Sequence, residues 1–117
     1  MDDDAIQDAF AVIGPVSIRK MFGGKGIYAD GMIVAVVLST GDLCVKGDDI
    51  VRETYEAGGA TQWTEAMKGR QTAMPYWRVP ADVLDDRDAL DAWAKMARDV
   101  AIRSAKAPKQ STSKKVK

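Results

Sequence analysis

The chain has 117 residues, of which 46% are hydrophobic and 29% are charged, a composition typical of one globular domain with a hydrophobic core. It contains no histidine and one cysteine, which excludes histidine-dependent nucleophiles, intramolecular disulfides and zinc sites built from these residues. Basic and acidic residues number 17 each, but five of the lysines lie after residue 105. Residues 1–105 therefore hold 12 basic groups (17 minus 5) against 17 acidic ones, a net charge of −5.

No apolar run approaches the roughly 18 residues that a membrane-spanning helix needs. The longest run, residues 32–38, has the length of a strand. Three aspartates occupy positions 2–4, where a signal peptide would be basic. We therefore expect a cytoplasmic protein.

The first part of the chain predicts one helix followed by a strand meander. A helix over residues 4–13 would place Ile6, Phe10 and Ile13 on one face and end before Gly14. The aspartates at its start suit the positive end of the helix dipole, an interpretation that we prefer to a metal site. Strand patterns follow over residues 17–22, 26–29, 32–38 and 43–46, and they predict a meander of three or four antiparallel strands.

Two further patterns continue this part of the chain. The dipeptide Asp30-Gly31 predicts a two-residue hairpin turn, because a type I′ turn needs positive φ at both positions. After the last strand of the meander, an aspartate-capped helix ends at Ala57. We predict that Ile50, Thr54 and Ala57 line one side of this helix, beside Val51 and Tyr55.

The remainder predicts a hairpin and a long helix. Two strands, residues 61–66 and 72–79, flank a turn at Lys68 and Gly69. Because proline donates no ladder hydrogen bond, Pro75 predicts that the second strand is an edge strand or contains a bulge. The last helix, through residue 104, repeats apolar residues at helical spacing: Leu90, Trp93, Ala94, Ala97, Val100 and Ala101.

Helices and strands are segregated along the chain, which favours an α+β fold. We predict two layers, with helices packed on an antiparallel sheet of about five strands, in the order α-β(3)-α-β(2)-α. This domain would span residues 1–105.

Residues 106–117 predict a disordered tail, since they lack large hydrophobic side chains except Val116 and contain Pro108. The lysines of the tail are Lys106, Lys109, Lys114, Lys115 and Lys117. Two interpretations stay open: a solubilising segment, and an electrostatic arm for weak, non-specific nucleic-acid contact.

Residues 19–28, Arg-Lys-Met-Phe-Gly-Gly-Lys-Gly-Ile-Tyr, share the glycine content of phosphate-binding loops. A P-loop requires Gly-Lys-Ser/Thr at the start of a helix, whereas Lys25 is followed by Gly26 and a strand. One interpretation is a bulge at which two backbones approach closely. The other is an anion site that uses Arg19 and Lys25.

A second segment, Met74-Pro75-Tyr76-Trp77, puts two aromatic residues on the predicted edge strand. Such a strand favours a partner contact, by β-augmentation or through its face, whereas the alternative is packing in the core and at its rim. Strand alternation predicts that Met74 and Tyr76 share one face and that Trp77 lies on the other.

Two other groups of residues favour structural roles. The acidic residues around the start of the last helix suit helix capping better than a magnesium site: Asp82, Asp85, Asp86, Asp88 and Asp91. Cys44 lies in a strand with nothing nearby in sequence to activate its thiol, so we predict a buried or half-buried structural residue.

Together, the two motifs resemble those of the TfoX/Sxy N-terminal domain family. Residues 19–28 with Asp30-Gly31 are similar to its opening motif, and residues 74–80 before a tryptophan-containing helix are similar to its second motif. The similarity spans residues 17–105. It implies a secretion-chaperone-like fold and a non-enzymatic role like that of the competence regulators, which act as coactivators alongside the cyclic-AMP receptor protein.

The two motif segments, of which the second carries the aromatic residues, are also where we expect partners to bind. The expected contact residues are those of the two motifs: Arg19, Phe22, Gly23, Gly24, Lys25, Gly26, Tyr28, Met74, Pro75, Tyr76 and Trp77. We expect a protein partner, either a transcription factor or an RNA polymerase component, no cofactor or metal, and a homodimer favoured by the exposed edge strand.

The family's full-length regulators carry a second, helical domain after this one, whereas here a lysine-rich tail follows it. We therefore expect a stand-alone N-terminal domain. Two alternative functions are a nucleic-acid-associated protein that binds through the tail, and a small-anion binder or enzyme that uses the loop at residues 23–26.

Overall fold

The computed structural model describes residues 1–21 and 23–106. Its strands are β1 (Ser17–Met21), β2 (Gly24–Ala29), β3 (Met32–Val37), β4 (Leu43–Lys46), β5 (Thr61–Met67) and β6 (Arg70–Arg78). Its helices are α1 (Asp3–Ala9), α2 (Arg52–Ala57), α3 (Ala81–Leu84) and α4 (Arg87–Lys106), with a 3₁₀ turn at Ala11–Ile13. Phe22 and the tail after Lys106 lie outside the described residues, and so do the predictions made for them.

The described strands form one antiparallel sheet in the order β1-β2-β3-β4-β6-β5. The α+β prediction is confirmed, with six strands instead of about five. The first four strands are the predicted meander. The turn between β2 and β3 has positive φ at both Asp30 (52°) and Gly31 (79°), as the hairpin prediction requires.

The edge-strand prediction for β6 is wrong, because β6 pairs with β4 on one side and with β5 on the other. The bulge alternative is confirmed. Between the pairs Gln62–Trp77 and Thr64–Ala73, β5 advances two residues while β6 advances four, and Pro75 lies in this stretch. The Pro75 carbonyl accepts from the Gly47 N–H at 3.0 Å, so the missing N–H of Pro75 faces the chain just past the end of β4, beyond the last β4–β6 pair, Lys46–Tyr76. The edge strands of the sheet are β1 and β5.

The main core lies between the sheet and the helices. Ile6 of α1 and Phe10 at the end of this helix are fully buried in this core. All six apolar residues predicted for the inner face of α4 are buried. Trp93 is the anchor that its helical spacing predicted, with its ring centroid 4.9 Å from that of Tyr55.

The buried side of α2 is centred on the neighbouring residues Val51 and Tyr55, not on the three residues predicted to line one side. Val51 and Tyr55 are buried, whereas Ile50 is 70% exposed and Thr54 and Ala57 are also exposed. The Tyr55 hydroxyl donates to the Lys46 carbonyl at 2.8 Å, which orients this side of the helix toward the sheet.

Helix ends also differ in detail. The predicted first helix divides into α1 and the 3₁₀ turn, and the short helix α3 was not predicted. Lys106, predicted as the first tail residue, is the last residue of α4. Aspartates cap as expected, since Asp2 accepts from the Ala5 N–H and Asp86 accepts from the Ala89 N–H. Every described helix is too short or too polar to cross a lipid bilayer.

Candidate functional site

One face of the sheet is covered by helices and the other is not. Directly opposite residues of paired strands share a face. Ile27, Ala35, Val45 and Trp77 are linked by this pairing and belong to the main core. No helix of the described residues packs on the opposite face, which we call the open face. Its larger side chains are Arg19, Met21, Tyr28, Ile33, Val36, Leu38, Cys44, Lys46, Trp63, Glu65, Met67, Arg70, Met74, Tyr76 and Arg78.

The open face brings the two sequence motifs together. The first motif contributes Arg19, whose guanidinium carbon lies 5.0 Å from the ring centroid of Tyr28. The second contributes Met74 and Tyr76, as strand alternation predicted. Burial raises the pKa of Tyr76, and the nearby Tyr28 hydroxyl adds to this shift. Residues that are about 50 positions apart in sequence therefore form one surface.

A small hydrophobic cluster underlies this surface. Val36, Cys44 and Tyr76 are buried, and partly buried side chains pack around them: Met21, Ile33, Leu38, Trp63 and Met74. Cys44 is fully buried, and this burial raises the pKa of its thiol to about 12. The burial confirms the prediction of a buried thiol, and a raised pKa keeps such a thiol protonated at neutral pH.

A groove of about 400 Å³ runs over the open face beside the β5–β6 hairpin. Its apolar lining includes Met21, Leu38, Trp63, Met67 and Met74. The indole N–H of Trp63 donates to Glu65 at 3.0 Å, which holds the ring at the groove. The bulge at Pro75 bends β6 where this hairpin leaves the rest of the sheet.

Trp77, predicted as a contact residue, lies on the other face and is only 1% exposed. Its indole N–H donates to a Glu56 carboxylate oxygen at 2.9 Å, and the Arg52 guanidinium lies 5.2 Å from its ring centroid. A Cβ on Gly47 would approach the Trp77 ring to 2.6 Å, so this glycine makes room for the ring. Trp77 is therefore a residue of the fold.

The glycines of the first motif allow close packing of backbones. A Cβ on Gly24 would overlap the carbonyl oxygen of Val37. A Cβ on Gly26 would lie 2.7 Å from the Met21 sulfur. Gly23 has a φ of +78°, which an L side chain rarely adopts. The structure confirms the close approach that one interpretation of this segment predicted.

The two cations of the predicted anion site do not meet. Lys25 faces α1, where its ammonium lies 2.7 Å from an Asp3 carboxylate oxygen and 3.2 Å from the Met1 carbonyl. Arg19 lies on the open face, on the other side of the sheet. A recess of about 540 Å³ next to Gly23 and Gly24 is lined by Lys25, whose charge Asp3 offsets.

Sequence reasoning missed several open-face residues: Met21, Ile33, Leu38, Trp63 and Met67. Trp63 carried a usable signal, because it is the one aromatic residue in the polar stretch Thr61–Glu65. A large aromatic side chain on a strand without alternating apolar neighbours indicates a partly exposed ring.

Comparison with known proteins then places the chain. The model of the TfoX N-terminal domain family matches residues 8–101, which is 94 of the 117 residues and includes both motifs. A search of curated proteins gives no significant match. The chain belongs to the TfoX N-terminal domain family.

Proposed function

We propose that the chain is a small, non-enzymatic regulatory module that acts by binding another protein, in a role like that of the competence regulators of its family. The family match over residues 8–101 carries this proposal. The expected partner is a transcription factor or an RNA polymerase component, and the expected setting is the cytoplasm.

The geometry supports a binding role. A binding module needs a stable scaffold with an accessible surface beside it. The main core and its helices provide the scaffold, and ion pairs such as Arg103–Asp48, at 3.0 Å, join distant elements of it. The partly exposed side chains of the open face provide the surface.

The test is a deletion of the encoding gene in the native host, complemented with the full wild-type chain, with transcripts measured in both strains. The proposal expects a defined set of transcripts to change and to be restored by the complementing chain. It also expects the tagged chain to crosslink to a component of the transcription machinery. Unchanged transcripts together with no such crosslink would overturn it.

Nucleic-acid binding through the tail is the alternative that this experiment must separate. Gel retardation of duplex DNA at low salt compares the full chain with a chain truncated after Lys106. Retardation that disappears with the tail and with added salt would favour the electrostatic arm. The protein-binding proposal expects the transcript effect to persist in the truncated chain.

A further inference from the structure

Charge is distributed unequally between the two layers. The six strands carry six basic residues against one acidic residue, Glu65. The helical segments, residues 2–13, 48–57 and 81–106, carry 14 acidic residues against six basic ones. The net charges are therefore +5 for the strands and −8 for the helical segments. A chain with a formal net charge of zero is in this way polarised between its strands and its helical segments.

Most cations of the open face have no carboxylate partner. The four cations are Arg19, Lys46, Arg70 and Arg78. Arg78 lies 3.4 Å from Asp42, but no salt bridge within residues 1–21 and 23–106 involves the other three. Lys46 is half-buried, and this burial lowers the pKa of its ammonium group. These three unpaired cations lie on the same face of the sheet as the apolar groove. The charged residues that line the groove itself are Lys25 and Arg78, which pair with Asp3 and Asp42, and Glu65.

The groove itself suits apolar side chains of a protein. Three methionines line it, Met21, Met67 and Met74. Methionine side chains are flexible and polarisable, and they adapt to the shape of a bound hydrophobic surface. Met67 is 50% exposed, and Trp63 is partly exposed next to it. The lining of the groove is thus largely apolar, and among the described residues the open face as a whole carries four cations against one acidic residue, Glu65.

We propose that the open face docks an amphipathic helix of a protein partner, with the apolar stripe of that helix flanked by carboxylates. The stripe fills the methionine-lined groove, and the carboxylates pair with Arg19, Lys46 and Arg70. This inference rests on the proposed function, because it names the surface and the partner chemistry of the same binding role.

Single-stranded nucleic acid fits the open face less well. Base stacking requires exposed aromatic ring faces. Here the Arg19 guanidinium covers a face of Tyr28, and the Trp63 ring packs 6.1 Å from that of Tyr76. Tyr76 is only 8% exposed. The remaining groove lining is aliphatic or thioether, which suits side chains better than bases.

Two other occupants lack the required chemistry. A second copy of the chain offers no acid-flanked apolar helix among its described residues, because the apolar sides of α1 and α4 are buried in its own core. The tail carries basic residues and no acid, so its charge has the same sign as most charged residues of the open face. A separate acidic partner is the occupant that complements both the groove and the charge of the open face.

Binding is measured by fluorescence anisotropy of labelled model peptides with the full chain. Three helical peptides of about 18 residues, or five turns, are compared. The first has a leucine and methionine stripe flanked by glutamates, the second has the same stripe flanked by lysines, and the third has the glutamates with glutamines in the stripe. We expect the first peptide to bind at least about tenfold more tightly than either of the others.

Variants locate the binding surface. Trp63→Ser and Met67→Ser remove apolar contacts, and Arg19→Glu combined with Arg70→Glu reverses two positive charges of the open face. Each of the three changes should weaken the glutamate-flanked peptide about tenfold, and the charge reversal should strengthen the lysine-flanked peptide. Matched controls on other surfaces are Ile50→Ser, at a 70% exposed residue, and Lys95→Glu on α4. Circular dichroism verifies the fold of every variant.

Equal binding of glutamate- and lysine-flanked peptides would overturn the inference, as would binding that open-face variants leave unchanged. No saturable binding of the first peptide, or tighter binding of a single-stranded RNA oligonucleotide, would also overturn it. The proposed function fails separately, if the wild-type chain has no effect on transcripts. A transcript effect that survives in the open-face variants would overturn the docking surface alone.

Discussion

Replacing Trp77 with alanine tests whether this residue belongs to the fold. The ring is 1% exposed between the sheet and α2, and its N–H donates to Glu56 at 2.9 Å. Trp63 is the matched comparison, because it is the same residue type on the opposite face of the same sheet and is partly exposed.

The expected loss in the free energy of unfolding follows from the burial of the ring. Truncating a buried Phe or Trp to alanine costs about 3–5 kcal/mol through lost transfer free energy and the cavity left behind. The Trp77→Ala change also removes a hydrogen bond to a carboxylate, so we expect about 4–5 kcal/mol. Trp63→Ala should lower the free energy of unfolding by about 1–1.5 kcal/mol, because the sheet contacts one side of this ring and the other side is exposed. A natural domain has about 5–15 kcal/mol of stability, so the first change leaves little.

Urea unfolding monitored by far-UV circular dichroism measures both changes. With a slope of about 1.5–2 kcal/mol per molar, Trp77→Ala should lower the midpoint by about 2–3 M. Trp77→Phe keeps a ring but loses the donor, and it should cost less than the alanine variant. A loss below about 2 kcal/mol for Trp77→Ala, or an equal loss for Trp63→Ala, would refute the assignment of the two faces.

Three further predictions concern the scaffold. Gly24→Ala should lower the free energy of unfolding by about 2–3 kcal/mol, because the new Cβ forces β2 and β3 apart. The control Gly41→Ala should cost about 1 kcal/mol, because this position has open space but a positive φ. Thermal unfolding compares the two variants. The Cys44 thiol should stay unalkylated by iodoacetamide in the folded chain and react in urea. Burial raises the pKa of this thiol from 9.0 to about 12, so on raising the pH the thiol ionises first in the unfolded chain. Between these pH values the free energy of unfolding should therefore fall by up to about 1.4 kcal/mol per pH unit, compared with the Cys44→Ala variant. Asp48→Ala should lower the free energy of unfolding by about 1–2 kcal/mol, because it removes the cap before α2 and both contacts with Arg103. Asp48→Asn keeps a capping oxygen, so it should cost about half as much. Urea unfolding measures both variants.

Local patterns predicted the elements well and the sheet order poorly. The bounds of β4 match the prediction, and the inner face of α4 follows directly from its helical spacing. The position of β6 depends on pairing between Val45 and Trp77, which are distant in sequence. Local propensity does not specify such a pairing. The proline rule offered an edge or a bulge, and the bulge is the case here.

The candidate site was predicted only in part, because local patterns do not specify which elements pack on which face of the sheet. Strand alternation correctly separated Tyr76 from Trp77, but it does not say which face the helices cover. That choice is made by α1 and α4, which come from the two ends of the chain. On α2, the Tyr55 hydrogen bond to the Lys46 carbonyl decides the buried side, and no periodic pattern within six residues encodes it.

The most direct test of the open face as the docking surface is NMR titration of the ¹⁵N-labelled full chain with the glutamate-flanked peptide. We predict the largest shifts at the Trp63 indole N–H and at the backbone amides of Met21, Leu38 and Met74. The amides of α4 should change little. Shifts concentrated on the helical layer or on the tail, with the Trp63 indole unchanged, would contradict the account.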